Sequence, residues 1–192
     1  WNFRWISDYA GGQITDWAGH MCDIAQWGMN TELTSPVEIE GSGTAPKDGL
    51  YDTIESYRFE CKYAHGFTMI VADTSQFALG VRFEGTDGWV FVNREKIEAE
   101  PKSLLSSTIG SNEIHLYKSD DHKQNFLDCI KTGAETVAPA EIAHRSIMIG
   151  HLGNIAMKLG RKLKWDPEKE LFINDDQANR LLSRPMRGTW HV

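Results

Sequence analysis

Asp16, His20 and Asp23 share one stripe with Trp27 if the segment around them is helical, because residues four and seven apart return to the same side at about 100° per residue. Ile14, Trp17, Met21, Ile24, Ala25 and Gly28 then make an apolar face roughly 120° away. A histidine titrates near neutral pH, and a neighbouring carboxylate fixes its tautomer and tunes its basicity, so Asp16 with His20 is a pair able to handle a proton. The same spacing occurs on solvated helix faces that do no chemistry, and the residues by themselves leave both readings open. Gly11-Gly12, just upstream, adds weight to the functional one.

Other chemistries find less support. A metal-dependent hydrolase needs Asp16, His20 and Asp23 to be joined by His115, Asp120, Asp121 or His122 as oxygen and nitrogen ligands, yet there is no His-Glu-x-x-His spacing. His144 and His151 read as packing or surface residues. Ser106, Ser107 and Ser146 lack the Gly-x-Ser-x-Gly setting of a nucleophile elbow. Gly41-Ser42-Gly43-Thr44-Ala45-Pro46 begins like a dinucleotide loop, but Pro46 replaces the third glycine and Lys47-Asp48-Gly49 predicts a turn, so the stretch reads as an ordinary loop. Glu100-Pro101-Lys102 carries no function in this order. Cys22, Cys61 and Cys129 lie too far apart for a zinc or disulfide framework and are expected to be buried free thiols. The tryptophans, Trp5, Trp17, Trp27, Trp89, Trp165 and Trp190 among them, are scattered and read as core or interface residues.

The elements that must position these groups follow from period and punctuation. With 192 residues, 41% hydrophobic and 24% charged, the chain is expected to be one soluble globular domain. No apolar run approaches the ~18 residues of a membrane span. A net charge of −7 argues against a nucleic-acid partner, and the basic run Gly160-Arg161-Lys162-Leu163-Lys164 reads as a helix end offsetting the macrodipole. The pattern predicts a helix over roughly 14–29. Strands follow at Val37–Glu40, Tyr57–Tyr63, Phe67–Val71, Val81–Glu84, Trp89–Val92 and Ile97–Glu100, joined by short turns at Ala64-His65-Gly66 and Gly85-Thr86-Asp87-Gly88. Helices return at Asp121–Thr132, closed by Gly133, and from Pro139 to Gly160. Lys164-Trp165-Asp166-Pro167 reads as a turn, 175–183 as a short helix, and Arg184-Pro185 as an irregular end. Short connections imply antiparallel pairing. The expected class is α+β, an open, mostly antiparallel sheet with helices on one face.

The run Gly11-Gly12-Gln13-Ile14-Thr15-Asp16-Trp17-Ala18-Gly19-His20-Met21-Cys22-Asp23 resembles the Gly-Gly-x-Leu-x-Asp-x-Gly-x-His-x-x-Asp pattern that opens the second domain of the Gfo/Idh/MocA oxidoreductases. Gly85–Trp89, Asn125–Ile130, Gly160–Pro167 and Ala178–Pro185 look like stretches typical of one subgroup, so the likeness spans nearly the whole chain. The resemblance implies that His20 accepts the substrate hydroxyl proton as hydride moves to nicotinamide, that Asp16 hydrogen-bonds and orients the substrate, and that Asp23 is structural. It implies a single C-terminal substrate-binding and oligomerisation domain over 1–192, acting on a sugar, polyol or related hydroxy compound and associating through its open sheet face. The family's N-terminal Rossmann domain, with its Gly-x-Gly-x-x-Gly loop and Glu-Lys-Pro motif, has no counterpart in these residues. The chain, which starts at Trp1, therefore reads as a piece of a longer protein. NAD or NADP is expected in the full-length enzyme, and no cofactor or activity in this piece alone. A non-catalytic interaction domain built on the same scaffold is the alternative.

Overall fold

The computed structural model describes residues 1–186, 188 and 189, and the chain divides into two compact units, 1–78 with 145 onward, and 79–144. In chain order the elements are α1 (Trp17–Gly28), β1 (Glu38–Thr44), β2 (Ser56–Lys62), β3 (Thr68–Ala72), β4 (Val81–Gly85), β5 (Gly88–Val92) and β6 (Ile97–Glu100). They continue with α2 (His122–Thr132), α3 (Ala140–Leu159), β7 (Leu163–Asp166), β8 (Leu171–Phe172) and α4 (Asp176–Asn179). The fold is α+β with open antiparallel sheets, as expected. No helix among the described residues is long and apolar enough to cross a membrane.

The first unit is built on a five-stranded sheet in the order β3-β2-β1-β7-β8. Tyr57, Phe59 and Cys61 alternate inward along β2, and the register sets Ile39 opposite both Cys61 and Leu163, so one face is a continuous apolar layer. Helix α1 and the C-terminal three-quarters of α3 cover that face. Tyr63 Oη donates to Gln26 Oε1 at 3.0 Å from α1's side, and a Cβ at Gly153 of α3 would stand 2.6 Å from Phe59 Cζ. The outward face is charged, and its charges are paired: Glu38 meets Lys62 at 3.1 Å and Lys162 at 3.0 Å, and Glu40 meets Lys162 at 3.1 Å. Hydrogen bonds from Lys162 and Lys62 hold the Glu38 carboxyl below the usual carboxylate range.

The second unit carries the three-stranded sheet β4-β5-β6, with Thr86-Asp87 as a two-residue turn between paired Gly85 and Gly88. Helix α2 begins at an Asp121 side chain that accepts from Lys123 N at 2.9 Å and Gln124 N at 3.0 Å, and ends at a left-handed Gly133.

Three expectations need correction. The stretch read as a loop, Gly41-Ser42-Gly43-Thr44, is the second half of β1, because a Cβ at Gly41 would stand 2.4 Å from Phe59 Cβ. Glycine is there so that the neighbouring strand's phenylalanine can lie over the backbone. Lys164-Trp165-Asp166, read as a turn, belongs to β7; Trp165 is 2% exposed, donates to Ser35 Oγ at 3.0 Å and packs edge-on to Phe172. The helix read over 175–183 is confined to α4, since Asn179 turns its amide to both backbone groups of Phe172. Of the tryptophans, Trp165 is buried while Trp27 and Trp1 are exposed; Trp190 lies outside the described residues. Cys22, Cys61 and Cys129 are buried free thiols, as read.

Candidate functional site

Helix α1 starts later than its pattern suggests, and the delay shapes the site. Residues Gly12–Ile14 form a 3₁₀ turn, with Gly12 O accepting from Thr15 N at 3.2 Å and Asp16 N at 3.1 Å. Gly12 has φ +65°, and a Cβ there would stand 2.6 Å from Thr53 Cβ, so conformation and crowding both demand glycine. Gly11 O accepts from Asn154 Nδ2 of α3 at 3.3 Å. These contacts fix the path by which the chain runs into α1, and so the position of Asp16, its N-cap residue.

The buried side of α1 is Ala18, Cys22, Ala25 and Gln26, turned by roughly 120° from the face of Trp17, Met21 and Ile24 that the pattern predicts. Small side chains decide this: they let the helix axis come close to the sheet, while the bulky residues flank the contact, half-buried. Burial, with a smaller contribution from Asp23, pushes the Cys22 thiol up to about 12. The rotation turns the Asp16 and His20 stripe further from the core than expected.

An aspartate at an N-cap ordinarily accepts from the amides of the first turn. Asp16 makes no such bond; its carboxylate faces Arg4, with Nε 3.1 Å from Oδ2. His20 is exposed, and the Trp17 ring stands edge-on to it at 6.2 Å. Arg4 in turn lies over the Trp1 ring, 4.9 Å from its centroid. Asp23 points elsewhere and accepts from Ser146 Oγ of α3 at 2.7 Å. The three residues of the stripe are thus divided: two reach the surface at the start of α1, and the third ties two helices together.

Arg4, Asn154 and Ser146 were not legible as partners. Arg4 lies in an irregular segment with no period to relate it to Asp16, and Ser146 draws attention only as a nucleophile, whereas it serves as a donor. Among the described residues no group of three or more His, Cys, Asp or Glu could hold a metal ion. Asp120 pairs with Lys118, Asp121 caps α2, and His115 Nε2 lies 2.9 Å from Gly110 O, all within the second unit. The metal hydrolase is not favoured.

Comparison with known proteins decides the family. The oxidoreductase family's C-terminal alpha/beta domain of Gfo/Idh/MocA type matches residues 1–192. The chain belongs to the Gfo/Idh/MocA family. Among solved structures, this Gfo/Idh/MocA domain is similar to an NAD-binding protein from Listeria innocua, at 14% identity and a TM-score of 0.56, covering 85% of this chain and 50% of that one. It is similar to the aldose-aldose oxidoreductase from Caulobacter crescentus complexed with glycerol, at 15% identity and 0.57, covering 84% and 50%. It is also similar to GenD2 from gentamicin A biosynthesis in complex with NAD, at 10% and 0.54, covering 86% and 52%. At such identities these structures share the fold, and the chain spans about half the length of each. No curated protein matches it.

Proposed function

We propose that this chain is the substrate-binding and oligomerisation domain of an NAD(P)-dependent oxidoreductase acting on a sugar, polyol or related hydroxy compound. In this reading His20 accepts a proton from the substrate hydroxyl and Asp16 orients the substrate by hydrogen bonding. The observation that carries it is that Asp16, although it stands at an N-cap, leaves its helix uncapped and presents its carboxylate at the surface, on the same stripe as the exposed His20. The carbohydrate-like class is supported by the fold likeness to an aldose-aldose oxidoreductase.

Gly41-Ser42-Gly43 does not fit a dinucleotide: it is strand backbone covered by Phe59 and Ile54, so its amides form no phosphate cradle. The nicotinamide cofactor is therefore assigned to the rest of a longer protein, and the residues here supply the proton acceptor and the substrate contacts. The open face of the five-stranded sheet is assigned to a second copy of the domain.

The test is nicotinamide reduction by the full-length enzyme over a panel of aldoses and polyols. His20→Ala lowers kcat by about 10²–10⁴-fold; unchanged turnover refutes the role. Lys162→Glu, which sets a third carboxylate beside Glu38 and Glu40, shifts the sedimentation of the protein toward monomer if the sheet face is the interface.

A further inference from the structure

We infer that residues 1–10 form a polar-clamped strap that holds Arg4 against Asp16, which makes Arg4 a positioning residue of the site; the functional part of this rests on the reading of Asp16 given above. None of these ten residues is fully buried: Trp5 and Ile6 are half-buried while Trp1, Phe3 and Tyr9 are largely exposed, so apolar packing reaches only the middle of the segment. Hydrogen bonds and charge from residues 52, 53 and 184 supply the rest of its hold. The Asp52 carboxylate accepts from Ser7 N at 2.6 Å and Ser7 Oγ at 2.7 Å. Trp5 O accepts from Asp52 N at 3.1 Å and Thr53 N at 3.4 Å. Arg184, from the far end of the chain, donates to Ser7 O and stands 3.5 Å from Asp8.

These clamps converge on the site. Thr53 is also the residue against which Gly12 packs, so residues 52 and 53 seat both the strap and the Gly-Gly turn that leads to Asp16. With its middle fixed at Ser7, the strap delivers the Arg4 guanidinium to Asp16 on one side, while Trp1 covers the guanidinium face. The cation fixes the direction of the carboxylate that the N-cap leaves free. Exposed ion pairs and hydrogen bonds are individually weak, so the strap opens locally while β1 and β2 stay folded.

Hydrogen exchange and arginine side-chain NMR on the 192-residue chain test this without any turnover. Asp52→Ala and Arg184→Met are expected to speed exchange at the amides of Ser7, Tyr9 and Ala10 by about tenfold or more, with the amides of β1 and β2 unchanged, which also shows that the variants fold. The Arg4 Nε–H resonance is expected to move toward that of a solvated arginine in Asp16→Asn and in Asp52→Ala alike. Unchanged exchange at residues 7–10 in Asp52→Ala, or an Arg4 resonance indifferent to Asp16→Asn, overturns the strap even if the enzyme is a dehydrogenase. In the full-length enzyme, Arg4→Met lowers kcat, Arg4→Lys recovers part of the loss, and Arg4→Met with Asp16→Asn together is no slower than Asp16→Asn alone. Additive losses overturn the positioning role and leave the oxidoreductase reading standing, whereas that reading fails if His20→Ala turns over normally.

Discussion

Ser146 on α3 donates a 2.7 Å hydrogen bond to Asp23 on α1, joining two helices whose contacting residues are 123 positions apart. Ser146 is buried and Asp23 half-buried, so removing the hydroxyl leaves a carboxylate with one fewer donor and little water to replace it. Ser146→Ala is expected to destabilise the fold by about 1–3 kcal/mol, and Ser146→Thr, which keeps the hydroxyl, by less. Urea unfolding at constant m-value measures both; a midpoint for Ser146→Ala equal to wild type would mean the bond is not made in solution.

Helix α3 crosses the sheet where Gly153 meets Phe59. A Cβ at Gly153 would lie 2.6 Å from Phe59 Cζ, and Phe59 has no exposed surface into which to move. Gly153→Ala is therefore expected to cost about 1–3 kcal/mol through overpacking, despite the better helix propensity of alanine. Combining it with Phe59→Leu should recover part of that loss. A stabilised single variant in thermal unfolding would show that the helix stands further from the sheet.

Arg161 and the Ala178 amide hydrogen-bond the Asp175 carboxylate and lower its pKa to about 2. The folded value lies below the unfolded one, so the stabilisation is complete above about pH 4 and is lost as pH falls toward 2. Asp175→Asn should accordingly flatten the dependence of stability on pH in that interval and leave the neutral-pH slope unchanged. Parallel acid titrations of the two proteins by circular dichroism would contradict the pairing.

Cys22 and Cys61 face the same buried layer, and burial pushes both thiols upward, Cys22 to about 12 and Cys61 well above its ordinary value. The thiolate is the reactive form, so iodoacetamide at about pH 8 should leave both unmodified in the folded chain and label them in denaturant. Mass spectrometry of the peptides reads the result. Rapid labelling of Cys22 in the native state would place α1 away from the sheet.

What the residues disclose in advance depends on whether a pattern is local. Tyr57 to Tyr63 alternates cleanly because β2 is buried on one side along its whole length, and Asp121 with Gly133 mark the ends of α2 by local hydrogen bonding and backbone conformation. The second half of β1 is hidden in the sequence because its inward positions are glycines: the space at Gly41 is filled by Phe59 of the neighbouring strand and that at Gly43 by Ile54 and Met157, all distant in the chain. Spacing brings Asp16 and His20 together at the start of α1, where the structure has them, and Asp23, which the resemblance sets apart as structural, bonds Ser146. Arg4 is not legible in this way, since it reaches Asp16 through an irregular segment held by Asp52 and Arg184, partners that no short window contains. The buried face of α1 differs from the patterned one by about one residue step, because the pattern weighs hydrophobicity whereas the contact favours small side chains.

Lys162 answers Glu38 and Glu40 on the uncovered side of the sheet, and Lys62 answers Glu38 again, so this surface is close to electrically self-sufficient. An approaching molecule meets little long-range pull there and must be chosen by contour and by the exchange of one ion pair for another at contact. Recognition on that side is accordingly a short-range affair, slow to begin and sensitive to single side chains.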